Sequence, residues 1–431
     1  MFSDIKKTNK IYSFKDLVNW RKEGNTLFFL EPRSGRLLIY NKAISRSVSS
    51  EGIIRPGKDN KDFMTLLVKN KLVDQVDKNY QPQKKQYVSA APAPLNVTIQ
   101  ITNCCNLRCR HCHNNKNNPG DIDLILIKSL ILQLREINVF NINISGGEPL
   151  LVRNIIDIIS SISRAGINCT MSTNALILSD SLARRLSQAG LRRVHISLDS
   201  ADEYQHDLLR GVKGSFKKMI DKLKYFKKYG IEYTFVTTLV DQDFTEYEKT
   251  IDLAYRLGAR AHKTNTVVPQ GRGKKLIANI NPKVIRQYIS IWKKKKKEYR
   301  GLMDILAETM FAIQIGKGMI NPPGAPMLLK CGCPAGILTC AISATGDVLP
   351  CSFFTELTFG NLRKDTFLNI WNSSALNSFR NRSRIETCNR CAYGNSCGGC
   401  RARSYGYHNR LYAADPFCFK LLIKQKNENR S

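Results

Sequence analysis

The sequence predicts an α/β protein: a partial (β/α)6 barrel, preceded by a small α+β unit and followed by a loop-rich region. Three observations predict this fold class. Apolar, β-branched runs alternate with helical segments from residue 95 to about 270. Residues 1–80 instead carry short apolar runs around turn residues, and nine of the 14 cysteines lie between Cys331 and Cys418. The predicted divisions are a unit at 1–80, a linker at 81–94, the barrel at 95–325 and a cysteine-rich region at 326–431.

The N-terminal unit is predicted to contain a β-hairpin. Apolar runs at Asn25–Leu30 and Arg36–Tyr40 flank the sequence Glu-Pro-Arg-Ser-Gly, and this pattern is typical of a hairpin. Residues 60–77 then show apolar spacing that fits a helix packed on the hairpin. Residues 81–94 are polar at first and end in Ala-Pro-Ala-Pro, which indicates a stiffened linker.

The barrel is predicted from six strands with helices between them. Buried strands that alternate with helices pair in parallel through right-handed crossovers. In such barrels, functional residues collect at the carboxyl ends of the strands. The predicted strands are Val97–Thr102, Asn141–Ser145, Cys169–Thr173, Val194–Leu198, Tyr233–Leu239 and Ala261–Thr266. The predicted helices include 123–137, 152–165, 180–189, 215–229 and 245–257.

Composition excludes several classes of protein. The 431 residues are 42% hydrophobic, which is ordinary for a globular chain, and no apolar run is long enough to span a bilayer. The segment from Met1 to Lys7 lacks the apolar core of a signal peptide, so a cytoplasmic location is expected. In such a chain, many cysteines favour metal ligation over disulfides.

The net charge of +32 is large. Because no nucleic-acid-binding motif accompanies it, no nucleic-acid partner is expected. Lysines are scattered over what the pattern indicates are solvated helix faces, such as Lys293–Lys297. An acidic peptide partner makes better use of this charge.

A compact cysteine loop follows the first predicted strand. Cys105, Cys109 and Cys112 are spaced as CxxxCxxC, and thiolates are the usual ligands of iron–sulfur clusters. Three thiolates on a four-iron cluster leave one iron open to a substrate, as an open zinc site does. A zinc loop is the alternative for this spacing alone.

The loop and the strand ends after it resemble the radical S-adenosylmethionine (SAM) superfamily. Ser145–Pro149 matches the superfamily's Gly-Gly-Glu-Pro segment, while Ser172–Asn174 and Ser197–Asp199 match its third and fourth strand ends. The resemblance implies a 4Fe–4S cluster on the three loop cysteines, with SAM on its open iron. It also implies reductive cleavage of SAM to a 5′-deoxyadenosyl radical that abstracts hydrogen. The electron would come from a flavodoxin or ferredoxin-type reductant.

The same resemblance implies which residues contact SAM. The Gly-Gly-Glu segment receives the methionyl amino group, and the third strand end contacts the methionyl and ribose groups. An arginine suits polar groups such as a carboxylate, which it binds bidentately, although a salt bridge at a helix end is the alternative for Arg210. The implied SAM contacts are Gly146, Gly147, Glu148, Ser172, Asn174, Ser197, Arg210 and Leu239.

Four residues near the loop depart from the superfamily's pattern or add to it. Ala175 stands where a glycine is usual, His111 where an aromatic residue usually meets the adenine, and His113 where a tyrosine is frequent. Both histidines are interpreted as solvated loop residues. Cys104 is an additional thiol beside a ligand.

The C-terminal cysteines resemble the SPASM extension, which carries two auxiliary 4Fe–4S clusters. Cys388–Cys400 alone would also fit a zinc knuckle, but the full order, with Gly346 before Cys351 and a final Cys418, is more specific. Two residues separate Cys397 from Cys400 where three are common. The resemblance implies that Cys333, Cys340, Cys351 and Cys400 hold the first auxiliary cluster, and that Cys388, Cys391, Cys397 and Cys418 hold the second. Cys331 is an alternative to Cys340.

The N-terminal unit bears on the substrate. A hairpin with helices is similar to the small winged-helix-like domain that captures leader peptides as an added strand, in maturases of the sactipeptide and thioether type. The predicted function is therefore modification of a ribosomally made precursor peptide through a thioether or carbon–carbon link. A purely structural appendage is the alternative for this unit.

Two other functions stay open. The segment Cys397–Tyr407 also resembles radical SAM enzymes that alter tetrapyrrole side chains. A non-catalytic iron–sulfur electron carrier is less favoured, because the SAM motifs are intact. Ser352 stands where sulfatase-activating relatives have an acidic residue, which counts against that activity. The sequence does not identify a catalytic acid or base.

Overall fold

The structure is a computed structural model. It describes residues 11–14, 20–23, 26–30, 37–40, 42–49, 53–56, 60–69, 72–76, 93–114, 120–240, 243–276, 282–307, 332–391 and 397–418.

The N-terminal unit contains two small antiparallel sheets and two helices. One sheet has the order β5-β1-β6, and the other has the order β2-β3-β4. Its strands are β1 (Ile11–Phe14), β2 (Trp20–Glu23), β3 (Thr26–Leu30), β4 (Leu37–Tyr40), β5 (Ile53–Ile54) and β6 (Val73–Val76), and its helices are α1 (Lys42–Ser47) and α2 (Lys61–Lys69).

The predicted hairpin is confirmed, because β3 and β4 pair in antiparallel register; its turn at 31–35 lies outside the described residues. The helix predicted over 60–77 is correct only as far as Lys69. The amide of Leu72 donates to the carbonyl of Leu67, and the chain then extends into β6, which pairs with β1. Apolar spacing alone does not distinguish a short strand from a continued helix.

This unit has its own hydrophobic core. Phe63, Met64 and Leu67 of α2 pack with Trp20 and Leu27 of the second sheet in a cluster separate from the barrel's core. The unit therefore does not depend on the barrel to bury its apolar faces.

The barrel strands lie in one twisted sheet. Its order is β13-β12-β11-β10-β9-β8-β7-β14-β15, and adjacent strands from β7 to β13 are parallel. The strands are β7 (Asn96–Thr102), β8 (Asn141–Gly146), β9 (Asn168–Thr173), β10 (Arg193–Ser197), β11 (Glu232–Leu239), β12 (Ala261–Thr266), β13 (Asp304–Ala307), β14 (Thr339–Ile342) and β15 (Val348–Leu349). The helices of this part are α3 (Leu124–Glu136), α4 (Ile155–Arg164), α5 (Asp180–Gln188), α6 (Glu203–Arg210), α7 (Ser215–Lys228), α8 (Phe244–Arg256) and α9 (Pro282–Glu298).

All six predicted barrel strands and the five predicted helices are confirmed within three residues at each end. Side-chain alternation divides each strand between two environments. In β11, Tyr233 and Phe235 are buried in the core, whereas Thr234, Val236 and Thr238 line the barrel's interior cavity. The strands therefore present apolar residues to the helices and mainly polar ones to the cavity.

Helix α9 corrects the expectation of a solvated lysine run. Lys295 is buried at 3% exposure, and its ammonium contacts Asp252 at 2.5 Å and Glu298 at 3.1 Å. The neighbouring Lys293, Lys294 and Lys297 remain exposed, as expected. A buried lysine is tolerated here because carboxylates surround its charge.

The C-terminal region continues the barrel's sheet and core. Strand β14 pairs in parallel with β7, and β15 pairs with β14. The region adds α10 (Phe367–Trp371), α11 (Ser374–Arg380) and α12 (Arg401–His408). One core runs from Val97 in the barrel to Ala402 in α12, so no break in packing marks the predicted division at 325; that division stays a prediction.

Among the described residues, no helix is both long and apolar enough to cross a membrane. The last residues of the predicted linker, Ala93 and Pro94, precede β7, and residues 81–92 lie outside the described part.

Candidate active site

A cavity of about 700 Å³ occupies the barrel interior. All three loop cysteines line it, together with seven of the eight predicted SAM contacts. Those seven are Gly146, Gly147, Glu148, Ser172, Asn174, Ser197 and Arg210. The eighth, Leu239, is buried at 6% exposure on the core side of β11 and is not among the lining residues. Val236 and Thr238 line the cavity in its place, as the alternation of the strand requires.

Backbone hydrogen bonds fix the cysteine loop to the end of α6. The amide of Arg108 donates to the carbonyl of Arg210 at 3.1 Å, and the amide of Arg110 donates to Leu209 at 2.8 Å. Helix α6 has unsatisfied carbonyls at this end, and the loop supplies donors to them. The loop is therefore held in place by the barrel's own backbone.

Gly146 and Gly147 pack against the same loop. A Cβ at Gly147 would lie 1.9 Å from the carbonyl oxygen of Cys104, and one at Gly146 would lie 2.2 Å from that of Thr102. The amide of Gly147 donates to Thr102 at 2.7 Å, and Gly146 has a φ of +123°. The two glycines are thus required for close packing of the cysteine loop, besides any contact with a ligand.

Arg272 clamps the other end of the loop, and the sequence analysis did not identify it. Its Nε donates to the carbonyl of Cys109 at 2.8 Å, and its amide donates to that of Cys112 at 2.8 Å. A Cβ at Gly271 would lie 2.7 Å from the Cys112 carbonyl. The run Gly271–Gly273 is the only local signal, and it does not reveal contacts with residues 160 positions earlier in the chain.

Glu148 links two strand ends instead of pointing to a free ligand site. Its carboxylate accepts hydrogen bonds from Thr173 Oγ1 at 2.6 Å and from the Asn174 amide at 2.7 Å. Burial raises the pKa of Glu148, although these hydrogen bonds oppose that shift. The carboxylate therefore joins the Gly-Gly-Glu-Pro segment to the end of β9.

Asn174 and Ala175 continue this connection. The Asn174 side-chain amide donates to Asn106 Oδ1 in the cysteine loop at 2.7 Å. Ala175 is fully buried with a φ of +64°, a left-handed conformation that favours glycine. The left-handed conformation is consistent with the glycine that is usual at this position, and here the backbone adopts it despite the Cβ of Ala175.

Arg210 forms a buried ion pair. Its Nη2 lies 2.7 Å from Asp199 Oδ2, and its Nη1 lies 3.7 Å from Cys109 Sγ. Burial acts to lower the pKa of Arg210, but Asp199 and Cys109 outweigh it and hold that pKa above its ordinary value. Arg210 therefore forms the salt bridge that was the alternative to SAM binding. The same guanidinium also lines the cavity, beside the predicted cluster ligand Cys109.

The two loop histidines are half-buried and face the cavity, whereas the sequence-based interpretation placed them in solvent. Burial lowers the pKa of His111 and that of His113 to about 4 each. The His111 Nε2 lies 3.7 Å from Asp199 Oδ2, and the His113 ring packs on Phe353 with centroids 4.7 Å apart. Both rings line the cavity because the loop folds inward over the strand ends.

The second group of C-terminal cysteines lies together. Burial, followed by the neighbouring Cys397, Cys418 and Cys391, raises the pKa of Cys388 to about 12. These four are the residues predicted to hold the second auxiliary cluster. Because burial disfavours the free thiolate, metal ligation is the interaction that would stabilise it here.

The first predicted group is only partly assembled by the structure. Burial and the neighbouring Cys333 raise the pKa of Cys351 to about 12, and the buried Arg401 faces both thiols. Cys340 lies at 2% exposure in β14, and its electrostatic neighbour within the described residues is Arg380. Its assignment as a ligand stays a prediction, and Cys331 lies outside the described residues.

The donor set fits iron–sulfur clusters. In the part of the chain described, no three His, Cys, Asp or Glu side chains converge where one metal ion could be held. A cubane is held differently, because its four thiolates are spread over a whole cluster. The three loop cysteines on one polar cavity, with Arg210 beside Cys109, suit a cluster and a zwitterionic ligand.

Comparisons with known families agree with this geometry. Residues 99–254 match the model of the radical SAM superfamily, and residues 333–392 match the SPASM model, an iron–sulfur cluster-binding domain. Residues 99–254 thus form a radical SAM domain, and residues 333–392 form a SPASM domain. A 4Fe–4S cluster and SAM bind in the first domain, and auxiliary clusters bind in the second.

Curated relatives name two kinds of enzyme. The AdoMet-dependent heme synthase of Oleidesulfovibrio alaskensis is 29% identical over 76% of this chain and 88% of its own length. The mycofactocin maturase MftC of Mycobacterium tuberculosis is also 29% identical, over 78% of this chain and 85% of its own length.

A solved structure shares the fold over nearly the whole chain. Streptococcus suis SuiB bound to the precursor peptide SuiA superposes with a TM-score of 0.73 at 16% identity, and the match covers 94% of this chain and 99% of SuiB. Because residues 1–80 are about a fifth of this chain, a match of that extent includes most of them. The N-terminal unit therefore belongs to the shared fold.

Proposed function

We propose that this radical SAM enzyme modifies a ribosomally made precursor peptide, forming a thioether or carbon–carbon link, and that its N-terminal unit captures the leader of that peptide. The observation that carries the proposal is the N-terminal unit itself. It folds around its own core, precedes the barrel, and falls within the fold shared with SuiB, which was crystallised with a precursor peptide.

The unit offers a surface for an extended peptide. In its sheet β2-β3-β4, the outer strands are β2 and β4. An outer strand presents backbone donors and acceptors on one side, and a peptide can pair with them as an additional strand. The register of β3 with β4, Leu27 with Tyr40 and Leu30 with Leu37, fixes the hairpin on which such a strand would add.

Charge favours an acidic peptide. The chain has 67 lysines and arginines against 35 acidic residues. Opposite charge accelerates the encounter of partners and suppresses wrong ones. An acidic leader would be attracted to this protein, and so would an acidic flavodoxin or ferredoxin-type electron donor, which we include in the proposal.

The barrel supplies the reaction chamber. When bound, the cluster and SAM supply the radical that abstracts hydrogen from the substrate. The chain's share is to position the substrate and exclude water. Thr234, Val236 and Thr238 form one wall, Ser352 and Phe353 another, and the cysteine loop closes the end. Ser352 and Phe353 directly follow Cys351, so a predicted auxiliary ligand lies next to the chamber.

Deletion of residues 1–80 tests leader capture. In the part of the chain that the structure describes, the barrel core contains no residue before Val97, so we expect the shortened enzyme to fold and to cleave SAM without peptide at an unchanged rate. Peptide modification should fall about 100-fold or more, since the tethering of the peptide is lost. The matched control is the full-length enzyme with a leaderless peptide, which should show the same loss. Unchanged modification by the shortened enzyme would refute leader capture.

A tetrapyrrole substrate is the second candidate, because heme synthases are among the relatives at 29% identity. The cavity is also lined by Arg193, Arg260 and Lys263. Arg193 pairs with Glu232 and Arg260 with Asp304, and the carboxylates of such a ring would compete for these cations. The two candidates differ in their need for residues 1–80. Saturable tetrapyrrole binding by the shortened enzyme, seen by difference absorbance, together with turnover of that ligand, would favour the second.

A further inference from the structure

One buried ion pair, Arg403 with Asp415, joins cysteines of both predicted auxiliary clusters. Arg403 is fully buried and Asp415 is 4% exposed. The guanidinium binds the carboxylate at two points: Nε donates to Oδ1 at 2.9 Å and Nη2 donates to Oδ2 at 2.8 Å. A bidentate pair of this kind has a fixed geometry.

The carboxylate of Asp415 also holds a ligand of the first auxiliary cluster in the predicted assignment. The amide of Cys400 donates to Oδ2 at 2.6 Å. Gly399 allows this approach, since a Cβ there would lie 2.6 Å from the Cβ of Asp415. Each carboxylate oxygen therefore accepts at least two hydrogen bonds, because the amide of Phe417 donates to Oδ1 at 3.0 Å.

The same carboxylate lies close to the second group of cysteines. Its backbone carbonyl accepts a hydrogen bond from the amide of Cys418 at 2.9 Å. Its charge adds to burial in raising the pKa of Cys388 and that of Cys397. Asp415 thus contacts Cys400 on one side and acts on Cys388, Cys397 and Cys418 on the other.

The arginine connects this arrangement to the barrel. Arg403 Nη1 donates to Thr266 Oγ1 at the carboxyl end of β12, and Thr266 lines the barrel cavity. Arg403 is on α12, where a Cβ at Gly406 would lie 2.4 Å from the carbonyl oxygen of Pro269. Helix α12 is therefore packed tightly on the chain segment that follows β12.

We propose that the Arg403–Asp415 pair is a positioning device that sets the relative reduction potentials of the two auxiliary clusters. A cluster's potential depends on net charge and hydrogen bonds around it. The arginine neutralises a carboxylate that lies between the two cysteine groups, so the charge felt by the clusters depends on the pair. The proposal is independent of the substrate and does not require the peptide function.

The test measures the potentials of the auxiliary clusters by EPR-monitored redox titration. It uses the full chain with all three loop cysteines, Cys105, Cys109 and Cys112, replaced by alanine, so that only the auxiliary clusters contribute. Arg403→Gln leaves the carboxylate charge unneutralised and should lower at least one midpoint potential. Asp415→Asn leaves the guanidinium charge and should raise at least one midpoint potential.

Two further variants control for structure and for distant charge. Arg403→Lys keeps the charge and should stay closer to the parent than Arg403→Gln does. Glu203→Gln removes a carboxylate from an exposed pair in the barrel with Lys217, whose side chain is 75% exposed, and distance and solvent screening should leave the cluster potentials unchanged. Shifts of the same sign in Arg403→Gln and Asp415→Asn, or no shift with the clusters present, would overturn the proposal. Loss of both clusters in both variants would also overturn it, since the pair would then serve assembly.

Discussion

The protein holds its two sets of cysteines in different ways. The barrel holds the loop Cys105–Cys112 through hydrogen bonds to the end of α6 and to Arg272, while Gly146 and Gly147 pack closely against Thr102 and Cys104, which precede the loop. The C-terminal cysteines extend over more than 80 residues and lie among short helices and turns, beside buried side-chain cations such as Arg401 and Arg403. The barrel's backbone therefore preforms the first site, and we expect cluster ligation to contribute more to the order of the turns that carry the second.

The largest effect is expected when a loop ligand is removed. Cys105→Ser should reduce SAM cleavage to below detection, because Cys104, the additional thiol beside it, is exposed and does not line the cavity. The auxiliary chromophore should remain at roughly two thirds of the total absorbance, since about eight of twelve irons are retained. The measurement is 5′-deoxyadenosine formation under reducing conditions; retained cleavage would contradict the assignment of the loop.

The second-largest effect is expected when all clusters are removed, which should change hydrogen exchange in the C-terminal region but not in the barrel. We expect hydrogen exchange of amides in 385–391 and 397–400, the turns that carry Cys388, Cys391, Cys397 and Cys400, to accelerate strongly after oxidation and chelation, because metal ligation contributes to their order. Amides of β7 and β8 should stay protected, since their hydrogen bonds run within the sheet. Equal loss of protection in both regions would break the comparison, and so would no loss in either.

A smaller but still clear effect is expected from Gly147→Ala. Its Cβ would overlap the Cys104 carbonyl at 1.9 Å, so the loop has to shift, at a cost of about 3 kcal/mol. We expect the loop cluster to be lost while the auxiliary clusters remain, as measured by iron content and EPR. Gly120→Ala is the matched control. The carbonyl of Gly120 accepts a hydrogen bond from the amide of Asn103, just before the loop, but a Cβ at Gly120 would meet no atom within 4 Å.

These contacts show what the sequence could and could not predict. The barrel strands were predictable because buried β-branched runs alternate with helices, and the cysteine loop because its spacing is local. The clamp by Arg272 was not, since it joins residues about 160 positions apart. Neither the inward position of His111 and His113 nor the burial of Lys295 was predictable. Their environments arise when the loop folds inward and when carboxylates on α8 surround the lysine.

Leu239 shows a second limit of sequence reasoning. The strand was predicted correctly, but the motif-based residue lies on its core face. Side chains of a strand alternate between faces, so placing a contact at the end of a strand requires the correct parity as well as the correct element. Val236 and Thr238 lie on the face of the strand that lines the cavity.

The smallest effect on stability is expected at Ala175, which follows β9 and has a strained backbone conformation. Ala175→Gly relieves a left-handed alanine with a φ of +64°, and should raise the Tm by about 1–2 °C, since part of the roughly 1 kcal/mol gain is offset in the unfolded chain. Ala165→Gly is the control: its φ is −71° at the end of α4, so it should lower the Tm slightly. A lower Tm for Ala175→Gly would contradict the claim that the backbone is strained at Ala175.

The iron content of two chains tests the central claim most directly, namely that a preformed barrel loop holds one cluster and the C-terminal cysteines hold two. After anaerobic reconstitution, the wild-type chain should bind about twelve irons, and a chain with alanine at Cys105, Cys109 and Cys112 should bind about eight. About four irons on the wild-type chain, or an unchanged count in the variant, would contradict the account.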